Sequence, residues 1–338
     1  MAVSISSRLD PPALLVLLAD GRLHSGEWLA KELRVSRAAV WKGVGRLRAL
    51  GVPVLAVPRR GYRLPEAVEM LDRLRIEAEL SPRRQAQMRR FELLFEVDST
   101  NTRLLASPPP PPGSADICLS ELQHAGRGRR GRRWIAPFGA AIALSAAWTF
   151  SDGARTLPAL SLAVGVAVWR ALIRAGARGV ALKWPNDIWF QDRKIGGVLT
   201  ELRAEASGPA HVVIGIGINV TLPPEARREI EACGASVAAV TDACVAAPSR
   251  NALAGALLDE LLSMLEQFER EGFAAFRDAW MALDALSGRP ARIVLADTAI
   301  VGTARGVDPE GALLLDTGDH VRRFVSGEAS LRLPEGVT

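Results

Sequence analysis

Nine consecutive residues, Gly126-Arg127-Gly128-Arg129-Arg130-Gly131-Arg132-Arg133-Trp134, hold three glycines and five arginines. They lie between two apolar, strand-like runs, Ile117-Cys118-Leu119 and Ala141–Ser145. Glycine lets a backbone turn tightly and brings its N–H groups close to a ligand. Arginine keeps its charge and forks onto carboxylate or phosphate oxygens. A solvated Arg/Gly tail that adheres to nucleic acid would have the same composition. The apolar flanks favour a loop fixed between buried strands, built to wrap a small anion. No Gly-Lys-Ser/Thr follows, so the pattern differs from a P-loop.

The chain has 338 residues, room for two or three domains. Hydrophobic residues make up 49% and charged residues 23%, the balance of a soluble globular protein. No apolar run reaches the roughly 18 residues that span a bilayer, and Leu157–Trp169 is stopped by Arg170. A cytoplasmic protein with no membrane partner is expected. Cys118, Cys233 and Cys244 are scattered and odd in number, and the four histidines are equally scattered, which argues against a disulfide framework or a zinc site. The chemistry is therefore expected from Lys, Arg and Asn side chains acting on an activated phosphate.

Charge is concentrated near the N-terminus. Between Arg22 and Arg63 ten cations face only Glu27 and Glu32, a net +8 in a chain whose total is +5. Such asymmetry is a footprint for a polyanion. Asp10-Pro11 reads as a helix start with Leu14, Leu17 and Leu18 on its inner face. Ser25 caps a second helix with Trp28, Leu29 and Leu33 inward. Ser36 caps a third, running to Leu50, with Val40, Val44 and Leu47 inward and Arg37, Lys42, Arg46 and Arg48 outward. Val52–Val57 and Tyr62–Leu64 form two strands joined by Pro58-Arg59-Arg60-Gly61. This is the order of a winged helix-turn-helix, with Ser36, Arg37, Lys42, Arg46, Arg59 and Arg60 as the DNA-binding candidates. A small helical domain that docks onto protein has the same order; the charge favours DNA.

Residues 67–90 read as a connector, with a short helix near Met70–Ile76 and a polar stretch at Pro82–Gln85. Phe91–Val97 is a strand, followed by Asp98-Ser99-Thr100-Asn101, where Ser99 and Asn101 are either helix caps or ligand contacts. Pro108–Pro112 is a stiff surface loop. Ala141–Phe150 is a strand and Leu157–Ala175 a buried helix. Val180–Leu182 leads into Lys183-Trp184-Pro185-Asn186-Asp187, where proline holds the next two residues at a bend. Ile188–Phe190 and Ile195–Leu202 form a hairpin with Lys194 at its turn. Gly215-Ile216-Gly217-Ile218-Asn219 lies in a strand pattern and lacks the third glycine and following helix of a dinucleotide fingerprint. Asn186, Asp187 and Asn219 supply oxygens suited to Mg²⁺ held through phosphate. Cations and Mg²⁺ around a glycine-rich loop fit a nucleotidyl or acyl-adenylate reaction.

The loop Gly126–Trp134, Lys183–Asp187, Lys194-Ile195-Gly196-Gly197 and Gly215–Asn219 together resemble the biotin protein ligases. His24–Glu27 and Ser36–Val40 are similar to the DNA-binding domain of family members that are both biotin ligase and biotin operon repressor. Nearly the whole chain is covered. The resemblance implies an α+β chain in four parts: a winged helix-turn-helix domain (1–66), the connector (67–90), a catalytic domain with a central mixed sheet and class II synthetase-like fold (91–287), and an SH3-like barrel (288–338). It implies that biotin and ATP form biotinyl-5′-adenylate and that a lysine of the biotin carboxyl carrier protein of acetyl-CoA carboxylase accepts the biotin.

By motif position, Ser99, Thr100, Asn101, Gln123, Arg127, Gly128, Arg129 and Lys194 contact biotin. Arg129, Arg132, Trp134, Lys183, Asn186, Asp187 and Asn219 lie on the ATP or adenylate side, and Arg129, Lys183 and Lys194 carry the chemistry. Asn186 and Asn219 approach Mg²⁺ through the nucleotide. The resemblance also implies a homodimer when adenylate is bound, and biotin operator DNA as a partner. A DNA-binding biotin sensor without efficient transfer, or a ligase without repression, has the same motifs. The chain departs from the family pattern in Thr221–Ala247, which is alanine-rich and has no aromatic, and in the connector and proline loop. The end of the chain is expected to hold two helices, Asn251–Glu271 and one ending at Leu283. Strands Ile293–Ala296, Ile300–Thr303, Ala312–Leu315 and Val321–Val325 follow, with Gly311, Gly318 and Gly327 at turns.

Overall fold

The computed structural model of the chain describes residues 10–151, 157, 159–204, 208–234, 236–295, 298–325 and 330–332. It divides into two compact units, Met1–Leu71 with Pro137–Gly139, and Asp72–Ala136 with Ala140–Thr338.

In the first unit, α1 (Pro11–Leu18) starts on proline and buries Leu14, Leu15 and Leu18; Leu15 takes the inward place expected of Leu17, which is only partly buried. Asp10 occupies the position before it but makes no side-chain cap, so the proline alone marks the start. In α2 (Gly26–Glu32) the Ser25 hydroxyl accepts the Trp28 N–H at 3.1 Å. In α3 (Arg37–Ala49) the Ser36 hydroxyl accepts the Ala39 N–H at 3.1 Å. Each cap satisfies a donor that a helix start leaves open. Val40, Val44 and Leu47 are buried as expected. Trp28 is not: it is 39% exposed and stacks on His24 at 4.5 Å, while Leu29 takes the inner position. Strands β1 (Leu55–Val57) and β2 (Gly61–Arg63) pair antiparallel, forming a wing whose tip holds Arg59 at φ 60°.

The second unit begins with α4 (Arg73–Glu77) and α5 (Pro82–Gln87). The polar stretch expected near Pro82 is thus a helix, capped by Ser81, while Leu74 of α4 faces solvent. A seven-stranded sheet follows: β3 (Met88–Val97), β4 (Ala115–Gln123), β5 (Ala141–Phe150), β6 (Val180–Lys183), β7 (Asp187–Phe190), β8 (Arg193–Ala204) and β9 (Ala210–Asn219). Its order is β3-β4-β5-β9-β8-β7-β6. Only β3 and β4 run parallel, joined through α6 (Thr100–Leu105). All ten residues of β5 are buried, since both of its faces are covered. Ala147 packs with Leu104 of α6, and the Phe150 ring meets Phe268 of α10 (Arg250–Glu271) at 5.9 Å.

Helix α7 (Leu160–Arg174) packs on α10 and on β6 to β8; it starts three residues later than the apolar run suggested. The alanine-rich stretch after β9 holds α8 (Pro224–Ala232) and α9 (Val240–Ala243). Helices α10 (Arg250–Glu271) and α11 (Ala274–Ala282) lead to a five-stranded antiparallel sheet. Its strands are β10 (Pro290–Leu295), β11 (Thr298–Val307), β12 (Leu313–Asp316), β13 (Val321–Phe324) and β14 (Ser330–Arg332), in the order β13-β12-β11-β10-β14. The last strand was not anticipated, and Ala296 and Gly327 lie outside the described residues. Among the described residues no helix is long and apolar enough to cross a membrane.

Candidate active site

Strand pairing draws the scattered motifs into one row. Val97 pairs with Gln123, Ala141 with Asn219, Gly217 with Gly197, and Gly197 with Asp187. On one face of this row three positions have no side chain. A Cβ on Gly215 would collide with the Asn101 amide, one on Gly217 would stand 2.7 Å from the Trp134 ring, and one on Gly197 would come within 3.1 Å of the Lys194 ammonium. Residues two apart on a strand share a face, and Gly197 pairs with Gly217. Gly197, Gly215 and Gly217 therefore form a bare floor beneath the Lys194, Asn101 and Trp134 side chains.

At one end of the floor is a buried polar network. Ser99 caps α6, its hydroxyl accepting the Thr102 N–H, and is 2% exposed. The Thr100 N–H and hydroxyl both donate to Gln123 Oε1, at 2.9 and 3.2 Å. Ser145 Oγ donates toward Thr100 Oγ1 at 2.7 Å and Asn101 Oδ1 at 2.5 Å. Asn101 Nδ2 donates to Glu201 Oε2 at 2.8 Å, and Glu201 also pairs with Arg127 at 3.0 Å. So of the two cap candidates, Ser99 is the cap and Asn101 is not. Ser145 and Glu201 belong to the network although neither stood out in the sequence. A lone serine inside an apolar strand carries no local signal; register places it opposite Gly215, where Asn101 reaches it.

The Arg/Gly loop is folded back on itself. The Trp134 N–H donates to the Gly126 carbonyl at 2.8 Å, and the Gly128 N–H to the Arg132 carbonyl at 2.7 Å. A short 3-10 turn spans Arg129–Gly131, with Arg130 in the left-handed region at φ 58°. Arg129 is half-buried and reaches Asn186 Oδ1 at 3.3 Å. Burial, then repulsion from Arg130, lowers its pKa, although a guanidinium stays charged. Arg132 is exposed.

The opposite end carries the lysines. Lys194 Nζ meets Asp187 Oδ1 at 2.5 Å. Lys183 Nζ lies 3.9 Å from the centre of the Trp189 ring. Asn186 Nδ2 donates to the Val198 carbonyl at 2.6 Å, fixing the bend after the cis Trp184–Pro185 bond. Residues 236–238 run beside Lys194, with its N–H on the Ser236 carbonyl and the Ala238 N–H on the Lys194 carbonyl, both at 2.9 Å. Asn219 is 2% exposed and its Nδ2 donates to the Ala238 carbonyl at 3.2 Å. The alanine-rich stretch is thus a wall of the site, a role its composition did not advertise. Among the described residues, Asn219 Oδ1 and Trp134 Nε1 are buried without a hydrogen-bond partner. A buried acceptor and donor left open on one face call for a ligand.

In the first unit, Arg37, Lys42, Arg46, Arg59 and Arg60 are all exposed on α3 and the wing, and Ser36 acts as the α3 cap.

Residues 94–219 match the Biotin/lipoate A/B protein ligase family, residues 13–63 an HTH domain, and residues 286–332 the Biotin protein ligase C terminal domain. The chain is 40% identical to the bifunctional ligase/repressor BirA of Escherichia coli, over 96% of its own length and 98% of the relative's. The chain belongs to the biotin protein ligase family. The Salmonella typhimurium BirA is also 40% identical, over 96% of this chain and 98% of that protein. The fold is similar to that of a biotin protein ligase from Aquifex aeolicus in complex with biotin and ATP, with a TM-score of 0.61 and 27% identity over 73% of this chain and 100% of that one. The chain is an enzyme of this family that carries an HTH domain.

Proposed function

We propose that the chain joins biotin to ATP, forming biotinyl-5′-adenylate, and passes biotin to a lysine of the biotin carboxyl carrier protein of acetyl-CoA carboxylase. With adenylate bound it dimerises and represses through the biotin operator. The observation that carries the proposal is the glycine floor, which brings Asn101, Trp134, Asp187 and Lys194 onto one sheet face.

In the first step a biotin carboxylate oxygen attacks the α-phosphorus. The new O–P bond forms as the bond to the β-phosphate oxygen breaks, and pyrophosphate leaves. Negative charge accumulates on the nonbridging oxygens. The Lys194 ammonium has three donors, of which Asp187 takes one, leaving two for the biotin carboxylate and a nonbridging oxygen. The polar network of Thr100, Asn101, Gln123 and Ser145 offers donors and acceptors in a buried setting, which suits an uncharged polar head group such as the ureido ring. Arg127, Gly128 and Arg129 close over the acyl phosphate and exclude water from a bond that would otherwise hydrolyse. Arg132, Trp134 and Lys183 serve the nucleotide. In the second step the acceptor amine attacks the acyl carbon, the C–O bond to phosphate breaks, AMP leaves and the amine loses a proton.

Magnesium fits this site as a phosphate-held ion. Asn219 Oδ1 is the open buried acceptor, Asn186 Oδ1 is shared with Arg129, and Asp187 is engaged by Lys194. Such a donor set suits an ion that keeps most of its ligands from water and phosphate. It would neutralise phosphate charge. We read the C-terminal sheet as an SH3-like barrel and the core as class II synthetase-like, with domains at 1–66, 91–287 and 288–338 around the 67–90 connector.

Incubation with biotin, α-phosphate-labelled ATP and the acceptor domain tests the proposal. Biotin on the acceptor is the expected result; label confined to bound adenylate, with an unmodified acceptor, would leave only a sensor. Gel shift on the biotin-operon promoter, strengthened by biotin and ATP together, tests repression.

A further inference from the structure

The outer face of α3 carries one residue that DNA-backbone binding does not explain. Trp41 is 67% exposed, an unusual cost for the largest apolar side chain on a helix. One turn before it stands Ala38 and one turn after it Gly45, both exposed, and a Cβ on Gly45 would meet nothing within 4 Å. At these two positions no large side chain covers the indole along the helix. Around it are Arg37, Lys42, Arg46 and Arg48, all exposed, and the wing with Arg59 and Arg60. Across the groove between α3 and the wing, Ala56 and Tyr62 line the wall opposite Trp41. An apolar plate ringed by cations is complementary to a surface that is apolar at its centre and anionic at its rim.

The major groove of DNA has that character where it holds thymine, whose C5-methyl is the one apolar group on its floor, flanked by phosphates. We propose that Trp41 reads sequence by packing its indole on a thymine methyl, while the surrounding arginines and Lys42 hold phosphate. This rests on the operator-binding proposal above and adds to it the group that discriminates between bases. The small side chains at Ala38 and Gly45 let the helix come close enough for the ring to reach the groove floor. A second copy of this chain or another protein covering the same ring would bury it without any dependence on thymine.

The test uses the full-length chain with biotin and ATP. Duplexes are selected from a randomised pool, and each thymine of the winning sequence is replaced in turn by deoxyuracil, which removes only the methyl. Wild-type affinity is expected to fall about fourfold at one or two thymines, the factor that burial of one methyl-sized group contributes. Trp41→Ala should abolish that sensitivity while keeping salt-dependent binding to the same duplex, and Trp41→Phe should keep part of it. Wild-type indifference to every replacement, or undiminished sensitivity in Trp41→Ala, overturns the inference alone. Absence of binding to any duplex at low salt overturns the operator proposal with it. A change in oligomeric state in Trp41→Ala with thymine sensitivity intact assigns the ring to a protein interface instead.

Discussion

In the helix-turn-helix unit Arg37, Lys42, Arg46, Arg59 and Arg60 all point into solvent, whereas in the ligase unit Arg127, Arg129 and Lys194 each hold a partner at 3.3 Å or less. The first arrangement keeps charge free to act over a Debye length on a long polyanion, and is screened by salt. The second places each cation beside a polar partner, so its charge is directed at short range. The same residue types thus serve long-range capture in one unit and short-range charge stabilisation in the other.

Lys194→Ala should break the ligase side of this contrast most severely. Adenylate synthesis, followed as pyrophosphate release, is expected to fall about 10²–10³-fold, the effect of deleting one aimed donor. Unaltered release would remove Lys194 from the chemistry. Arg129→Gly should act on retention more than on synthesis. Loss of a charged hydrogen-bonding group is worth about 1.5–3 kcal/mol, so adenylate escape should rise about 10- to 100-fold and biotin should appear on bystander lysines. A variant that labels only its proper acceptor would show that the loop does not hold the product.

Asp284 is an exception inside the ligase unit, since a charged group there lacks the engagement its neighbours have. Its Oδ2 is buried without a partner among the described residues, and burial pushes its pKa up to about 6, against a hydrogen bond from the Leu286 N–H that lowers it. The folded state therefore favours the protonated carboxyl. No penalty exists below the unfolded value near 3.8; it grows as pH rises toward 6 and is constant above. Asp284→Asn keeps the acceptor for Leu286 and should stabilise the protein above pH 6 by on the order of 2 kcal/mol, with no gain below pH 4. Denaturant melts at pH 4 and pH 7 check the sign; an equal effect at both would mean the carboxyl is not strained by burial.

The smallest effect is expected on the DNA side. Arg59→Ala or Arg60→Ala should weaken duplex binding a few-fold, equally across sequences, and reduce the salt slope by about 1 each. Ligase turnover should not move. A sequence-dependent loss would mean that the wing reads bases and not phosphate.

Local pattern carried most of the fold. Caps at Ser25 and Ser36, the apolar spacing of Val40, Val44 and Leu47 in α3, and glycine- and proline-marked turns each act within a few residues, so a single chain segment suffices to state them. The motif residues Arg129, Asn186, Asp187 and Lys194 were also singled out by type and spacing, and the fold brings Arg129 to Asn186 and Lys194 to Asp187. Trp28 went the other way because helical spacing allows two faces at that position, and contact with His24 chose the outer one.

What needed the tertiary structure is the site as a surface. Ser145 lies in an apolar run and becomes a site residue only because β5 places it opposite Gly215, beneath Asn101. Glu201 joins Arg127 to Asn101 across about a hundred residues of chain, and the 236–238 segment pairs with Lys194 through backbone hydrogen bonds. Sequence by itself determined which groups could carry charge and where helices and strands begin, since these depend on neighbours in the chain. Which groups share one floor depends on strand register, a property of partners far apart in sequence, and only the folded sheet decides it.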